Sequence, residues 1–181
     1  YPDHYMHKFG PDSKEVRENI LSLQEEMERI GESLPDDALL LVIADHGQIL
    51  SEQYLLDDFP DITRHLVRKP TIESRASTYF VKEGEKEAFK EDFKRHFGDS
   101  YELLSKEEAL ERELFGPNHE LHPLFSDMLG DFIAIAKSEK TLFLSRGEME
   151  ACKGVHAGGM EKERLIPLIA IFKGDIGSFK S

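Results

Sequence analysis

This sequence contains a single cysteine, Cys152, among 181 residues. One thiol excludes an internal disulfide framework and any cysteine-based zinc cluster. Cys152 reads as a small, half-buried side chain, and such low cysteine usage is compatible with a cytosolic protein. Long apolar runs are missing too. The longest is far too short to cross a bilayer, so no membrane span is expected. Basic residues are in deficit, with 23 Lys and Arg against 36 Asp and Glu, for a formal net charge of -13. Binders of a nucleic-acid duplex present basic surface, so a duplex is not the expected partner. A small phosphorylated substrate stays open, because a bound cation can reverse the local field. No internal repeat, low-complexity tract or long linker is present. There is no initiator Met and no signal sequence ahead of Tyr1, which reads as a chain taken from something longer.

What is present suits a soluble globular domain, or a domain with an insertion: 39% hydrophobic and 33% charged residues. After Pro11, Asp12 or Ser13 can cap a helix, with Glu15 placed to complete a capping box with Asp12. Val16, Ile20, Leu23, Met27, Ile30 and Leu34 then form one apolar stripe at helical spacing, expected to pack on a core. Ala38 to Ala44 is an unbroken apolar run ending at Asp45, His46 and Gly47. Such a run suits a strand covered on both faces. The expected class is α/β, part of a mostly parallel sheet flanked by helices, with ligands beyond the carboxyl ends of the strands.

From residue 68 to 148 the character changes to a small α+β unit. "RASTYFV" reads as a strand, and "EKEAFKEDFKRHFG" as a helix with Phe89, Phe93 and Phe97 on one side and Gly98 at its end. Ser105 and Glu108 have capping-box spacing. "DFIAIA" and "TLFLS" read as strands joined by the turn "KSEK". "LIPLIAIF" then returns the chain to the main sheet. The organisation is therefore core over 1–67, an inserted α+β cap over 68–148, and core again over 149–181.

Asp and His occur in three places that packing alone does not explain: Asp3 with His7, Asp45-His46-Gly47, and His156 in "GVHAGG". Singly, a His beside a Gly is usually a turn residue, and an Asp-His pair can cap a helix. Together, their positions before a helix, after a buried strand and before another strand allow convergence on one rim of a sheet. Mixed carboxylate and imidazole donors suit zinc or manganese, and open coordination positions make such a site catalytic. Gly158 and Gly159 let backbone approach a ligand closely. "NHELHP" offers another spacing of this kind, His119 and His122 around Glu120, but Pro117 and Pro123 favour a rigid loop. His65 and His96 lie in charged helical contexts and are expected to be solvated.

The ordered stretches "DHYMHKFGP", "LLLVIADHGQ" and "GVHAGGMEKERLIPLIAI" resemble the alkaline phosphatase superfamily, and within it the type I phosphodiesterase/nucleotide pyrophosphatase branch. "ESRASTYFVKEGEKEAF" and "HPLFSDMLGDFIAIA" resemble an insertion found in bacterial members. The resemblance implies two divalent metal ions, zinc or manganese. Asp3, His7 and His156 match the ligands of one ion; Asp45 and His46 match two ligands of the other. The remaining Asp and the Thr or Ser nucleophile belong to an N-terminal part that this sequence does not contain. At most one complete metal site, and an isolated chain without activity, are therefore expected. The implied reaction is attack of that Thr or Ser on phosphorus, followed by hydrolysis, on a small nucleotide or phosphodiester. A sulfatase, phosphomonoesterase or phosphomutase of the same superfamily is the alternative, as is a non-catalytic metal- or partner-binding module. Met6 and Ala157 stand where relatives usually have Gly. An exposed central-type strand would also favour self-association of the chain.

Overall fold

The computed structural model describes residues 2–117 and 122–173, so His119 and Glu120 of the "NHELHP" loop lie outside the described residues. In chain order the first elements are α1 (Pro2–Phe9), α2 (Lys14–Ser33), β1 (Leu39–Ile43), β2 (Ile49–Leu50) and β3 (Glu52–Leu55). Next come α3 (Pro60–Thr63), β4 (Thr71–Glu73), β5 (Ala76–Tyr79), α4 (Lys86–Phe97), β6 (Tyr101–Ser105) and α5 (Lys106–Glu111). The rest are α6 (Phe125–Met128), β7 (Phe132–Ala136), β8 (Lys140–Phe143), α7 (Arg146–Ala151), β9 (Gly154–Val155), α8 (Glu161–Arg164) and β10 (Leu168–Phe172). They divide into two compact units, the first made of Tyr1–Leu50, Cys152–His156 and Glu161–Ser181, the second of Ser51–Ala151 and Ala157–Met160.

The mixed α/β class holds, with parallel pairing narrower than the expected mostly parallel sheet. β3 pairs β8 in parallel; the other described ladders are antiparallel. In the first unit, β10 pairs β1 along its whole length, from Leu39 opposite Phe172 to Ile43 opposite Leu168. The C-terminal apolar run thus does return to the strand that ends at Asp45. Cover on both faces is not what the described residues provide: Leu41 is 55% exposed, Ile43 66% and Leu168 71%. The run is apolar enough for a doubly covered strand, but among the described residues one neighbouring strand pairs with it.

α2 corrects the sequence reading in the same direction. Its cap is Ser13, one of the two residues the sequence offered, whose side chain accepts from the Val16 amide; the correction concerns the stripe. Val16 is buried, whereas Ile20, Leu23 and Ile30 stay exposed along the stripe.

The second unit buries what its sequence offers. Its four-stranded sheet runs in the order β4-β5-β7-β6. Strand alternation sends Phe132, Ala134 and Ala136 to one face, where Phe89, Phe93 and Phe97 of α4 pack with Tyr79 and Tyr101. Ala134 and Ala136 are small, which leaves room for the rings. Ile133 faces the other way, against Leu104 and Ala109. The Ser105–Glu108 capping box forms as expected. Gly98 ends α4 in right-handed helical geometry (φ -57°), so no left-handed cap is used there.

β7 and β8 are consecutive but do not form a hairpin. β7 is flanked by β5 and β6, and β8 pairs with β3. The intervening turn is held by Arg75, which is 1% exposed. Its guanidinium donates to Ser138 O (2.8 Å), Lys140 O (3.0 Å) and Thr141 Oγ1 (3.2 Å). Planar, five-donor geometry lets one buried arginine satisfy several carbonyls at once.

Candidate metal centre

Asp3 and His7 lie four residues apart on α1, so they share one face of the helix. His156 follows β9 directly, and Asp45 and His46 occupy the loop between β1 and β2. All five residues belong to the first unit. One ligand atom from each of Asp3, His7 and His156 lies within 4.8 Å of the others, a spacing that can hold a metal ion. Asp3 Oδ1 is 3.3 Å from His7 Nε2 and 3.9 Å from His156 Nε2. Two imidazoles and a carboxylate are the donor chemistry of a three-ligand catalytic zinc site.

The backbone orients His7. Its Nδ1 lies 2.8 Å from Gly154 O. A carbonyl can only accept, so Nδ1 donates in that bond, which leaves Nε2, on the Asp3 side, as the ring nitrogen available to a metal ion. One further bond and one close approach bring α1 up to β9: Lys153 N donates to His7 O at 2.6 Å, and Gly154 lies so near Met6 O that a Cβ there would clash with it. The close approach is to the main-chain oxygen of Met6, and glycine at 154 accommodates it.

Gly47 explains the third residue of Asp45-His46-Gly47. Its amide donates to Glu163 O at 2.8 Å, and a Cβ there would meet Lys162 O at 2.1 Å. Only glycine lets this loop rest on the backbone of α8. His46 then stacks on His156, with ring centroids 3.8 Å apart and planes at 17°. Its Nδ1 lies 3.1 Å from Gly47 O, and its Nε2 lies 3.6 Å from Asp45 Oδ2. The Asp45 side chain is 87% exposed, and its Oδ1 accepts from the His46 amide. Asp45 and His46 stand beside the three-residue cluster without joining it. Ala157, in the place of a glycine, adopts φ 75°, a left-handed conformation that costs any residue with a Cβ.

His65 was expected in solvent and is instead 4% exposed, in the second unit. Its Nδ1 lies 2.8 Å from Glu85 Oε2 and its Nε2 3.0 Å from Asp92 Oδ2. Arg64 and Arg95 also donate to the Asp92 carboxylate. The hydrogen bond from His65 leads in holding that carboxyl down to about 2, against the upward push of burial. Asp61 is lowered in the same manner by its hydrogen bond from His96, which is part-exposed. A sequence signal existed: Phe89 and Phe93 flank Asp92 on the core face of α4, and a carboxylate there requires a cationic partner. His122, the described half of the "NHELHP" pair, accepts from the Leu124 amide through Nδ1, a turn role. Cys152 is half-buried, as expected.

A family model described as "Type I phosphodiesterase / nucleotide pyrophosphatase" matches residues 1–159. No curated protein sequence matches the chain. Among solved structures, murine ectonucleotide pyrophosphatase/phosphodiesterase 5, an inactive form in complex with AMP, is 20% identical with a TM-score of 0.66, over 93% of this chain and 44% of that one. The human counterpart is 19% identical with a TM-score of 0.59, over 93% and 44%. Phosphonoacetate hydrolase from Sinorhizobium meliloti 1021, in complex with phosphonoformate, is 18% identical with a TM-score of 0.57, over 93% and 43%. At these identities the likeness shows the fold. The chain spans less than half the length of each.

Proposed function

This chain belongs to the type I phosphodiesterase/nucleotide pyrophosphatase family, and from that premise we propose that it supplies one divalent-metal site to a two-metal hydrolase of phosphate esters. The convergence of Asp3, His7 and His156 carries the reading. Both histidines are placed to offer Nε2, and the carboxylate lies between them. Zinc or manganese fits this donor set. Asp3, His7 and His156 would hold a divalent ion there, which would supply Lewis-acid polarisation of a phosphoryl oxygen and activation of water.

The chain's own residues do the holding. Asp3 contributes the one negative charge of the set, so an ion with two neutral imidazoles keeps net positive charge. That local field draws phosphate in a protein whose formal net charge is -13. Gly154 O fixes the His7 ring, the kind of outer partner that raises the basicity of a ligating imidazole. Asp45 and His46 are assigned to the second ion, with the stack of His46 on His156 keeping the two ligand groups in register. The Thr or Ser nucleophile and the remaining ligand come, on this reading, from sequence outside these 181 residues, so the chain alone is inactive.

The substrate class is a small phosphorylated molecule, a nucleotide or a phosphodiester. AMP and phosphonoformate in the similar structures support a ligand with a tetrahedral phosphorus centre. Residues 68–148, which separate His46 from His156 in sequence, act in substrate choice as a cap. The exposed apolar face of β1 and β10 is covered by self-association when the chain is alone.

The test is a titration of metal-free chain with zinc and with manganese, beside His156→Ala. One tight site is expected. The variant should lose more than the roughly 10- to 100-fold that removal of an outer-shell partner costs. A folded wild type that takes up no ion, or a variant that binds as tightly, would sink the reading.

A further inference from the structure

We infer that Gln48 is a positioning residue for the metal centre, holding the Asp3 carboxylate in its ligating orientation through its side-chain amide. The inference rests on the metal-site reading above and adds a residue to it.

Register brings Gln48 to the site. β2 and β9 pair with Ile49 opposite Val155 and Leu50 opposite Gly154. Gln48 precedes one strand and His156 follows the other, so both stand at the same end of this short ladder. From there Gln48 Nε2 donates to Asp3 Oδ1 at 2.5 Å and lies 3.3 Å from Asp3 O. Asp3 Oδ1 is the same oxygen that faces His7 and His156. A carboxylate has about four lone-pair sites over its two oxygens, so one donor at Oδ1 leaves capacity for an ion. Asp3 is otherwise half-exposed, and an exposed aspartate on the first turn of a helix has several rotamers to choose from.

The amide orientation is decided by chemistry. Exchanging Nε2 and Oε1 would set an acceptor against two acceptor oxygens of Asp3. The cost of the observed orientation falls on Oε1, which is buried with no hydrogen-bond partner among the described residues. Burying an unpaired acceptor is destabilising. Packing alone would therefore prefer an apolar side chain of equal length here. Glycine at 154 supplies the room, since a Cβ there would come within 2.8 Å of Gln48 Oε1. The same glycine offers the carbonyl that orients His7. Two outer contacts thus meet at one point of β9, one fixing a histidine ring and one fixing the carboxylate.

Gln48→Met keeps length and bulk while deleting the donor. The metal-free intact chain carrying it is titrated with zinc beside wild type and Asp3→Asn, and its cobalt(II) form is examined by visible absorption. Zinc affinity should fall roughly 10-fold or more, the usual effect of losing an outer-shell partner. The cobalt bands should shift, reporting an altered ligand geometry. The thermal midpoint of the metal-free variant should be no lower than that of wild type, because the unpaired buried acceptor goes with the donor. Zinc affinity equal to that of a wild type that does bind overturns the inference alone. A weaker affinity accompanied by a lower midpoint assigns Gln48 a merely structural role and overturns it as well. A wild type that takes up no zinc, indistinguishable from Asp3→Asn, overturns the metal site and this inference together.

Discussion

The two units treat their apolar residues in opposite ways. In the second, Tyr79, Phe89 and Phe93 are completely buried, and Phe97, Tyr101 and Phe132 nearly so, against one face of a four-stranded sheet. In the first, Leu41, Ile43, Leu168 and Phe172 are more exposed than buried on a two-stranded ladder. Yet the metal-type cluster lies in the first unit. The aromatic core and the ligand-type cluster therefore lie in different units. The aromatic core is completed within one continuous stretch of chain, from Leu56 to Leu142. The ligand cluster brings α1 together with the residue after β9, so it depends on long-range pairing.

The largest effect that would break this contrast is in the aromatic core. Phe93→Ala should destabilise the chain by roughly 3–5 kcal/mol, through lost transfer energy and a cavity that close packing cannot fill. Chemical denaturation measures it, and a loss under about 1 kcal/mol would mean that the second unit is not the stable one.

A smaller effect comes from the buried charge cluster of the same unit. The Asp92 carboxyl is lowered from 3.8 to about 2 in the folded chain. Its folded value lies below its unfolded one, so the stabilisation is present above the ordinary value and is lost as pH falls from there through about 2. Thermal midpoints recorded across that acid window should drop more steeply for wild type than for Asp92→Asn. Parallel curves would show that the His65, Arg64 and Arg95 contacts contribute nothing to acid sensitivity.

The smallest stability effect should be on the exposed ladder. Leu41→Ser is expected to change unfolding free energy by less than about 0.5 kcal/mol, because little apolar surface is buried there. The same substitution should lower the mass measured by light scattering at high concentration. A wild-type monomer at every concentration would show instead that this face stays uncovered by a second copy.

Much of the second unit was legible from local pattern. Phenylalanines at steps of four announced the core face of α4, and Ser105 with Glu108 announced the cap of α5, because both signals act within one or two turns of chain. The pairing of β8 was not legible. A polar turn between two strands suggests a hairpin, but Arg75 claims the turn carbonyls and β6 already occupies the other edge of β7. His65 was misread for a related reason: its carboxylate partners are 20 and 27 residues away in sequence. Among the candidate metal ligands, Asp3, His7, Asp45, His46 and His156 were visible as residue types in order, whereas Gln48 carried no signal of its own.

By itself, then, the sequence determined the long helix α2, the main strands and the aromatic face of the second unit, and the identity and order of the metal-type ligands, but not the short helix α1 that carries Asp3 and His7. Those properties depend on side-chain chemistry and on periodicity over a few residues. Tertiary structure alone decided that Asp3, His7 and His156 meet while Asp45 points to solvent, which edge receives β8, and that Gln48 grips Asp3. Each of those depends on which strand pairs with which, and in what register, and pairing energy is collected only after distant segments have been brought together.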